Sequence, residues 1–262
     1  MKIGIIGGSG LEDPKILTET RERMLKTPYG IPSSPLMEGA IRGIRIALLS
    51  RHGKKHTIMP SNVPNQANIY ALKQVGCTHI LATTACGSLR EKIKPGDFIF
   101  IDQFIDRTTK RKQTLYEKDH VSHIPMSEPF CPQIRKQLFD HAKTLHIPFH
   151  EKGTMVTIEG PRFSTRAESK LFRQWGGDVI NMSTVPEVVL AREAGLHYAS
   201  IAMSTDYDCW KADGSGVDIK MVLNTFAQNI DIVKKLIVSI VTELREYDDC
   251  KCSTDTKSAM IS

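Results

Sequence analysis

Two aspartates that follow a short apolar segment, Asp206 and Asp208, have the types and the spacing of a catalytic pair. Residues 197–202 are predicted to form a buried strand, and in extended chain a separation of two residues places both carboxylates on one side. Two neighbouring carboxyl groups cannot easily both be charged, so one is predicted to hold a proton at neutral pH. A protonated and an ionised carboxyl side by side complement the edge of adenine, where N7 accepts and the 6-amino group donates. The alternative is an ordinary turn at the end of a strand, where aspartate is common.

Small, hydroxylated or cationic residues end five predicted strands, and such residues suit a phosphate, a sugar or a base. Small residues around Ser9 let backbone amides approach an anion, and the serine hydroxyl adds a donor. Arg51, next to His52, offers the planar fork that matches a phosphate, although a solvated loop is the alternative there. Because ligands of α/β proteins bind at the carboxyl ends of strands, these endings predict one site at one sheet edge. The five endings are residues 7–10, 50–53, 83–88, 181–184 and 204–208.

The elements that must position these residues alternate between strands and helices, which is typical of an α/β protein. Strands are predicted over residues 2–7, 36–40, 44–50, 79–83, 97–104, 153–158, 178–182 and 197–202. Helices are predicted over residues 65–75, 131–145, 165–175, 186–194 and 218–246. We therefore expect one domain over residues 1–246, built on a mixed twisted sheet flanked by helices, and a C-terminal tail over residues 247–262.

The composition of the 262-residue chain argues against two classes of partner. No apolar run approaches the ~20 residues that cross a bilayer, and the N-terminus opens directly into a strand pattern, so we expect a cytoplasmic protein without a membrane partner. The net charge of +6 suits anionic small ligands, with solubility alone as the alternative interpretation. Aromatic residues make up only 6% of the chain, which disfavours a stacking surface for single-stranded nucleic acid.

The six cysteines do not have the spacing of a zinc site, because no Cys-x-x-Cys and no paired histidine accompanies them. We therefore expect no metal. In a reducing compartment, scattered cysteines are predicted to be small core residues. Cys250 and Cys252 are the exception, since on an exposed tail they would be able to pair or react. Free thiols are the state that we predict for them.

Six motifs together coincide with those of one enzyme family. They are Gly-Gly-Ser-Gly-Leu at 7–11, Arg-His-Gly at 51–53, Thr-Thr-Ala-Cys-Gly-Ser-Leu at 83–89, Thr-Ile-Glu-Gly-Pro-Arg-Phe at 157–163, Asn-Met-Ser-Thr-Val-Pro-Glu at 181–187 and Thr-Asp-Tyr-Asp at 205–208. With these motifs the chain, from residue 2 to about residue 245, resembles the methylthioadenosine phosphorylases, in the trimeric branch of the purine nucleoside phosphorylase superfamily. The resemblance implies that fold and reversible phosphorolysis of 5′-methylthioadenosine to adenine and 5-methylthioribose 1-phosphate. It also implies no cofactor besides the co-substrate phosphate, and a homotrimer or a dimer of trimers.

The resemblance further implies a role for each matching residue. Asp206 would be the general acid that protonates N7 of the departing adenine, an effect worth ~10²–10⁴-fold, and Asp208 would accept from the 6-amino group. The implied phosphate ligands are Ser9, Arg51, His52, Thr84, the Ala85 amide and Ser183. The implied substrate-binding residues are Met182, Phe163, Tyr207 and the two aspartates, together with His123 from a neighbouring subunit. The implied specificity residues are Ser164, Ile219, Val222 and Leu223, the last three of which have core packing as the alternative because their helical spacing is that of any buried face.

Three other functions stay open at the level of sequence. A phosphorylase for 6-oxopurine nucleosides would need an amide where Asp206 stands, and adenosine is a further substrate in the same class. A nicotinamide-dependent oxidoreductase would depend on the glycines at 7–10, although Pro14 interrupts the helix that a dinucleotide-binding unit requires. A nucleic-acid binder would depend on the net charge of +6 and would bind in a salt-sensitive manner.

Overall fold

The fold is built on an eleven-stranded mixed sheet, in a computed structural model that describes residues 1–7, 16–117, 120–211, 219–245, 247 and 250–261. Within these residues the strands are β1 Ile3–Gly7, β2 Thr18–Arg23, β3 Leu36–Ile41, β4 Ile44–Ser50, β5 His79–Ser88, β6 Phe98–Phe100, β7 Gln103–Arg107, β8 Val121–Ser122, β9 Phe149–His150, β10 Thr154–Ile158, β11 Val179–Asn181, β12 His197–Asp206 and β13 Met260–Ile261. The helices are α1 Asn65–Gln74, α2 Pro132–Thr144, α3 Arg166–Gln174, α4 Thr184–Glu193, α5 Ile219–Val241 and α6 Asp255–Ser258. The predicted α/β class with a mixed sheet and flanking helices is confirmed.

The two central strands, β5 and β12, are each ten residues long and pair in parallel from His79 and His197 onward. The main path of the sheet runs β2-β3-β4-β1-β5-β11-β10-β7, while β12 pairs with β5 and β6, and β6 pairs with β9. Every residue of β12 is buried. The polar end of this strand is therefore enclosed by the sheet rather than exposed at its rim.

Two buried apolar clusters hold the helices onto the sheet. One joins β12 residues such as Ile201 to α2 and α5, and the other joins β1, β4 and β5 to α1 and α4. Fully burying such side chains stabilises the fold by about 1.5–3 kcal/mol each. Among the described residues, no helix has the length and apolar character that a membrane span requires.

Several predicted elements differ from the structure in length or number. The predicted strands 79–83 and 197–202 continue to Ser88 and Asp206, because their hydroxylated residues stay in the ladder instead of leaving it. The predicted strand 97–104 is two strands, since β6 pairs with β12 whereas β7 pairs with β10. The edge strand β2, with sequence TETRER, is exposed at every position and has no apolar alternation that would have predicted it.

The C-terminal segment packs onto the domain rather than extending from it. Cys250 and Cys252 are buried members of the larger apolar cluster, so the prediction that they are exposed is wrong. Arg192 Nη2 donates to Asp255 Oδ2 at 2.8 Å, and β13 pairs antiparallel with β8. The division of the chain at residue 246 remains a prediction.

Candidate active site

A cavity of about 330 Å³ opens at the carboxyl ends of β4, β5, β10, β11 and β12. It brings together four of the five predicted strand endings, while residues 8–10 of the fifth lie outside the described residues. β11 runs antiparallel to β5 yet reaches the cavity, because β5 continues far enough for Gly87 to pair with Ile180. The lining residues are Arg51, His52, His56, Pro60, Thr84, Ala85, Cys86, Gly87, Ile158, Pro161, Phe163, Ser164, Ile180, Asn181, Met182, Ser183, Thr205, Asp206, Asp208, Val222 and Phe226.

Asp206 is the last residue of β12, and Asp208 lies in the turn that follows. A register shift between Ser204 and Asp206 ends the regular pairing with β5. Asp208 has a φ of 50°, and its backbone N–H donates to Asp206 Oδ1 at 2.7 Å. The Thr205 hydroxyl donates to Asp206 Oδ2 at 2.8 Å. Both aspartates line the cavity, although the chain turns between them instead of staying extended as predicted.

Burial raises the pKa of both aspartates. At Asp206 burial outweighs the hydrogen bonds from Thr205 and from the Asp208 amide, which favour the charged form. At Asp208 burial is again the largest cause, and the charge of Asp206 adds a smaller contribution. Among the described contacts no hydrogen bond joins the two carboxyl groups. Burial is thus the largest cause of the raised pKa values of both carboxyl groups, and the shared proton stays a prediction.

Arg51 is held in place by the buried carboxylate of Glu187. Its Nε donates to Glu187 Oε2 at 2.8 Å, and its Nη2 donates to Glu187 Oε1 at 3.0 Å. The Nη1 group donates to the Thr83 carbonyl at 2.8 Å, and the Tyr198 hydroxyl donates to Glu187 Oε1 at 2.7 Å. A guanidinium has five N–H donors, so these contacts leave two N–H groups for an anion in the cavity.

His52 is a neutral side chain in this cavity. Its Nδ1 lies 2.9 Å from the Ile58 carbonyl oxygen, which only accepts, so Nδ1 carries the proton. Burial, together with the charge of Arg51, lowers the pKa of His52 to about 4. The other ring nitrogen, Nε2, is then an acceptor at neutral pH. Such a histidine would accept a hydrogen bond from the P–OH of monohydrogen phosphate instead of donating one.

A hydroxyl cluster organised by Asn181 forms the wall next to Arg51. The Asn181 amide nitrogen donates to Thr84 Oγ1 at 3.1 Å and to Thr184 Oγ1 at 2.7 Å. Its Oδ1 accepts from the Thr157 hydroxyl at 3.0 Å. The hydroxyls of Thr84 and Ser183 lie 2.9 Å apart. These contacts fix the orientation of two hydroxyls that face the cavity and suit the oxygens of a phosphate.

The remaining walls suit a base and an apolar substituent. Phe163 is 42% exposed, so its ring is accessible from the cavity mouth. Ser164 lines the cavity, and its hydroxyl oxygen is buried and has no hydrogen-bond partner among the described residues. Val222 and Phe226, one turn apart on α5, add an apolar surface. Met182 packs closely on Gly160, where a Cβ would lie 2.5 Å from the methionine sulfur.

Five residues predicted for the site are not found in the cavity lining. Ser9 lies outside the described residues, as do the side chains of Ile219 and Leu223. The prediction for Tyr207 is corrected: its ring packs against Trp210, with Lys211 Nζ 3.6 Å from its centroid, because the side chain between Asp206 and Asp208 points away from the cavity that they line. His123 is exposed on the segment after β8 and does not line the cavity of its own chain.

Sequence reasoning did not assign a role to four residues that shape the cavity. Asn181 and Glu187 are the first and last residues of the Asn-Met-Ser-Thr-Val-Pro-Glu motif. Their role depends on contacts with distant residues, which the spacing of residues within the motif does not reveal. His56 lies five residues after Arg51 and has a positive φ of 50°. The centroid of its ring is 4.5 Å from the centroid of the His52 ring. Phe226 lies four residues after Val222, so extending the helical spacing of the specificity residues by one turn would have found it.

Comparison with known proteins places these residues in one family. The family model described as phosphorylase superfamily matches residues 2–243. S-methyl-5′-thioadenosine phosphorylase of Danio rerio is 58% identical and that match covers 95% of this chain and 90% of the zebrafish protein. The protein of the same name from Drosophila melanogaster is 54% identical over 99% of this chain and 95% of its own length.

Solved structures give the same result at the level of the fold. Methylthioadenosine phosphorylase from Schistosoma mansoni in complex with adenine superimposes with a TM-score of 0.93 at 42% identity, and the match covers 99% of this chain and 97% of that one. A mutant of adenosine/methylthioadenosine phosphorylase from the same organism, in complex with methylthioadenosine, also has a TM-score of 0.93, at 41% identity, with 99% of this chain and 98% of that chain covered.

Proposed function

Since this chain belongs to the phosphorylase superfamily, and within it to the S-methyl-5′-thioadenosine phosphorylases, we propose that it catalyses the reversible phosphorolysis of 5′-methylthioadenosine. The products are adenine and 5-methylthioribose 1-phosphate. The observation that carries the proposal is that one cavity is lined by two different sets of polar groups. Arg51 and the Thr84–Ser183 hydroxyl pair form one set, and the buried pair Asp206 and Asp208 forms the other, with Asp206 opposite Gly87, three residues beyond Thr84 on β5.

Phosphate binds against Arg51, His52, Thr84, the Ala85 amide and Ser183. Two N–H groups of Arg51 and the two hydroxyls donate to its oxygens, while His52 Nε2 accepts its proton. Because His52 accepts this hydrogen bond, phosphate binds in its monohydrogen form, with its charged oxygens facing Arg51. One of these oxygens then attacks C1′ of the ribose from the face opposite the base. Holding both reactants in one cavity makes the attack effectively unimolecular.

Adenine leaves from beside the two aspartates. As the C1′–N9 bond breaks, the sugar becomes positively charged and negative charge collects on the base. Asp206, whose pKa is raised by burial, donates its proton to N7 and neutralises that charge. Asp208 accepts from the 6-amino group. A 6-oxopurine would place an acceptor against this acceptor, which favours adenine nucleosides over inosine.

The methylthio group occupies the apolar surface formed by Val222 and Phe226, with Ser164 nearby in the lining. Full burial of one methylene-sized group contributes about 0.8 kcal/mol. Ser9, Ile219 and Leu223 retain the roles that the family resemblance gives them. Adenosine is the second candidate substrate, since one structural neighbour is named adenosine/methylthioadenosine phosphorylase. Adenosine has a hydroxyl at its 5′ position, which would leave the apolar surface of Val222 and Phe226 without an apolar partner.

The active assembly in this proposal is a cytoplasmic homotrimer, or a pair of such trimers, that needs no metal or organic cofactor for the reaction. His123 is exposed and lies outside the cavity of its own chain, which fits a residue that completes the site of a neighbour. Nucleic acid and membranes are not partners. The full-length match to phosphorylases favours this reading over the oxidoreductase and the nucleic-acid binder.

The test is a parallel assay of base release from methylthioadenosine, adenosine and inosine, with and without phosphate. We expect phosphate-dependent release of adenine from methylthioadenosine, a lower kcat/KM for adenosine and little reaction with inosine. A higher kcat/KM for inosine than for methylthioadenosine would overturn the proposal. Release that does not require phosphate would indicate a hydrolase instead.

A further inference from the structure

Four potential metal ligands converge at the start of β12, far from the cavity. They are Cys131, directly before α2, His197, the first residue of β12, and Cys250 and Cys252 of the C-terminal segment. One ligand atom from each lies within 4.8 Å of the other three, and all four residues are buried. Asp206 stands at the other end of β12, about 30 Å away at 3.3 Å per residue. The cluster is therefore separate from the candidate active site.

The distances within this cluster match a tetrahedral site. Cys131 Sγ lies 3.6 Å from Cys250 Sγ and 3.5 Å from His197 Nδ1, and the sulfurs of Cys250 and Cys252 are 3.2 Å apart. Zn–S bonds of about 2.3 Å and Zn–N bonds of about 2.0–2.1 Å at tetrahedral angles require separations of about 3.8 Å for S···S and about 3.6 Å for S···N. Two of the three separations agree with these values. The third requires the Cys250 and Cys252 sulfurs to move apart by about half an ångström.

We propose that Cys131, His197, Cys250 and Cys252 bind one zinc ion in a closed structural site. Three thiolates and one neutral imidazole are a complete ligand set for Zn²⁺, and soft sulfur ligands select it over magnesium or calcium. Each thiol loses its proton on binding, and the imidazole binds through Nδ1. With four protein ligands no position is left for water or a substrate, so the ion stabilises the fold and performs no chemistry.

The site explains why the C-terminal segment packs onto the domain. Two of its cysteines would be bonded through the metal to α2 and β12. Further along, the Arg192–Asp255 ion pair and the pairing of β13 with β8 continue the attachment. The His123 backbone N–H donates to the Ala259 carbonyl at 2.9 Å, so the segment also supports the residue proposed to reach a neighbouring subunit. The spacing of cysteines in the sequence did not predict this site, because two ligands come from distant elements.

A disulfide is the chemical alternative for the same sulfurs. In the structure the three cysteines of the cluster are free thiols. The sulfurs of Cys250 and Cys252 are 3.2 Å apart, whereas an S–S bond is about 2.0 Å long. Oxidation of any two of these thiols to a disulfide releases two protons and two electrons to an oxidant and removes two zinc ligands. The two states are therefore mutually exclusive and can be distinguished.

The first experiment measures metal content of the full chain, purified without chelator, by inductively coupled plasma mass spectrometry. We expect about one zinc per chain in the wild-type protein and in the control Cys77→Ala, which removes a buried cysteine of the other apolar cluster. Cys250→Ser and Cys252→Ser should each lose most of the zinc. Equal zinc in these variants and the wild type would contradict the proposal.

The second experiment does not depend on the variants folding. Wild-type protein stripped of metal under reducing conditions is titrated with Co²⁺, and we expect thiolate-to-cobalt charge-transfer absorption, intense tetrahedral d–d bands and a melting temperature that rises on adding Zn²⁺. Absence of both absorption features would overturn the proposal. A Cys131–Cys250 or Cys250–Cys252 disulfide found by mass spectrometry in freshly purified protein would also overturn it.

Discussion

At the scale of single residues, the site depends on ionisable groups whose charge is set by burial. Arg51 is 3% exposed and Glu187 is 1% exposed, and their paired hydrogen bonds neutralise two charges that would otherwise be isolated from water. Breaking such a pair by removing one partner is strongly destabilising, because the remaining charge stays buried. An anion in the cavity would offset that effect, since it lies against the same guanidinium.

The first prediction therefore concerns Glu187→Gln. We expect the free energy of unfolding to fall by about 3–5 kcal/mol without phosphate, and saturating phosphate to recover more stability in the variant than in the wild type. Thermal melting with and without phosphate measures both effects. Glu193→Gln is the matched control, because Glu193 is also buried on α4 but accepts from Thr114 and the Leu115 amide outside the cavity. Equal phosphate shifts in all three proteins would contradict the assigned role of Glu187.

A second prediction follows from the pKa of His52, which burial and Arg51 lower to about 4. An unfolded histidine takes up a proton near pH 6.5, whereas native His52 does not until about pH 4, so stability is lost as the pH falls through this window. His52→Gln should lose less of its melting temperature between about pH 7 and about pH 4.5 than the wild type. His120→Gln, a substitution at an exposed position, is the control. An identical pH dependence of His52→Gln and wild type would refute a buried neutral histidine.

At the scale of elements, the close approach of β5 and β12 determines where the acid stands. A Cβ added at Gly87 of β5 would lie 3.0 Å from Asp206 Oδ1, 3.2 Å from Ile180 Cγ2 and 3.3 Å from Asp208 Cβ. Contacts at these distances force the neighbours to move by a few tenths of an ångström. The absence of a side chain at this one position is therefore what lets both carboxyl groups face the cavity.

The third prediction is that Gly87→Ala lowers kcat by about tenfold to a hundredfold while the protein stays folded, because a misplaced acid transfers its proton less efficiently. Steady-state kinetics and a thermal melt separate the two effects. An unchanged kcat would show that the position of Asp206 tolerates this displacement, and loss of the cooperative melt would show that the packing of the sheet was the larger constraint.

The elements that sequence could predict are those whose pattern is local. The strands predicted over residues 36–40 and 44–50 correspond to β3 and β4, and Arg42 and Gly43 between them have positive φ values, 48° and 82°, as a tight turn requires. The helix predicted over residues 65–75 corresponds to α1, and it is followed by Gly76, whose φ of 85° is typical of a residue that ends a helix. The continuation of β5 to Ser88 could not be predicted from the sequence, because the polar residues at the end of this strand stay in it only through their pairing with β11 and β12.

At the scale of the whole molecule, the convergence of strand endings could be predicted and the partners of the charged groups could not. Asp206, Arg51 and Ser183 are far apart in sequence, yet the carboxyl ends of sheet strands meet at one edge, so their proximity followed from the fold class. The Arg51–Glu187 pair joins the residue after β4 to a residue of α4 that is 136 positions away in sequence, and no local pattern indicates this contact. The sequence predicts that Cys250 and Cys252 lie on an exposed tail, and only their packing on α2 and β12 shows otherwise.

The fourth prediction tests whether a neighbouring subunit completes each site. His123→Ala removes a residue that would serve the neighbour, whereas Asp206→Asn disables the site of its own chain. When the two weakly active variants are mixed and allowed to exchange subunits, sites with Asp206 from one chain and His123 from the other should regain activity. Each variant refolded alone is the control. No recovery in oligomers that native mass spectrometry shows to contain both variants would place His123 outside the site.

The measurement that tests the central claim most directly is the steady-state kinetics of Asp206→Asn with methylthioadenosine and with inosine. If Asp206 donates the proton to N7, kcat/KM for methylthioadenosine should fall by about 10²–10⁴-fold. The discrimination against inosine should shrink, because the asparagine NH₂ group has two N–H donors, one for N7 and one for the neighbouring 6-oxo group that Asp208 cannot satisfy. Asp231→Asn, at an exposed position on α5, is the control and should keep wild-type kinetics. An Asp206→Asn enzyme with unchanged kcat/KM for methylthioadenosine would contradict the assignment of Asp206 as the general acid.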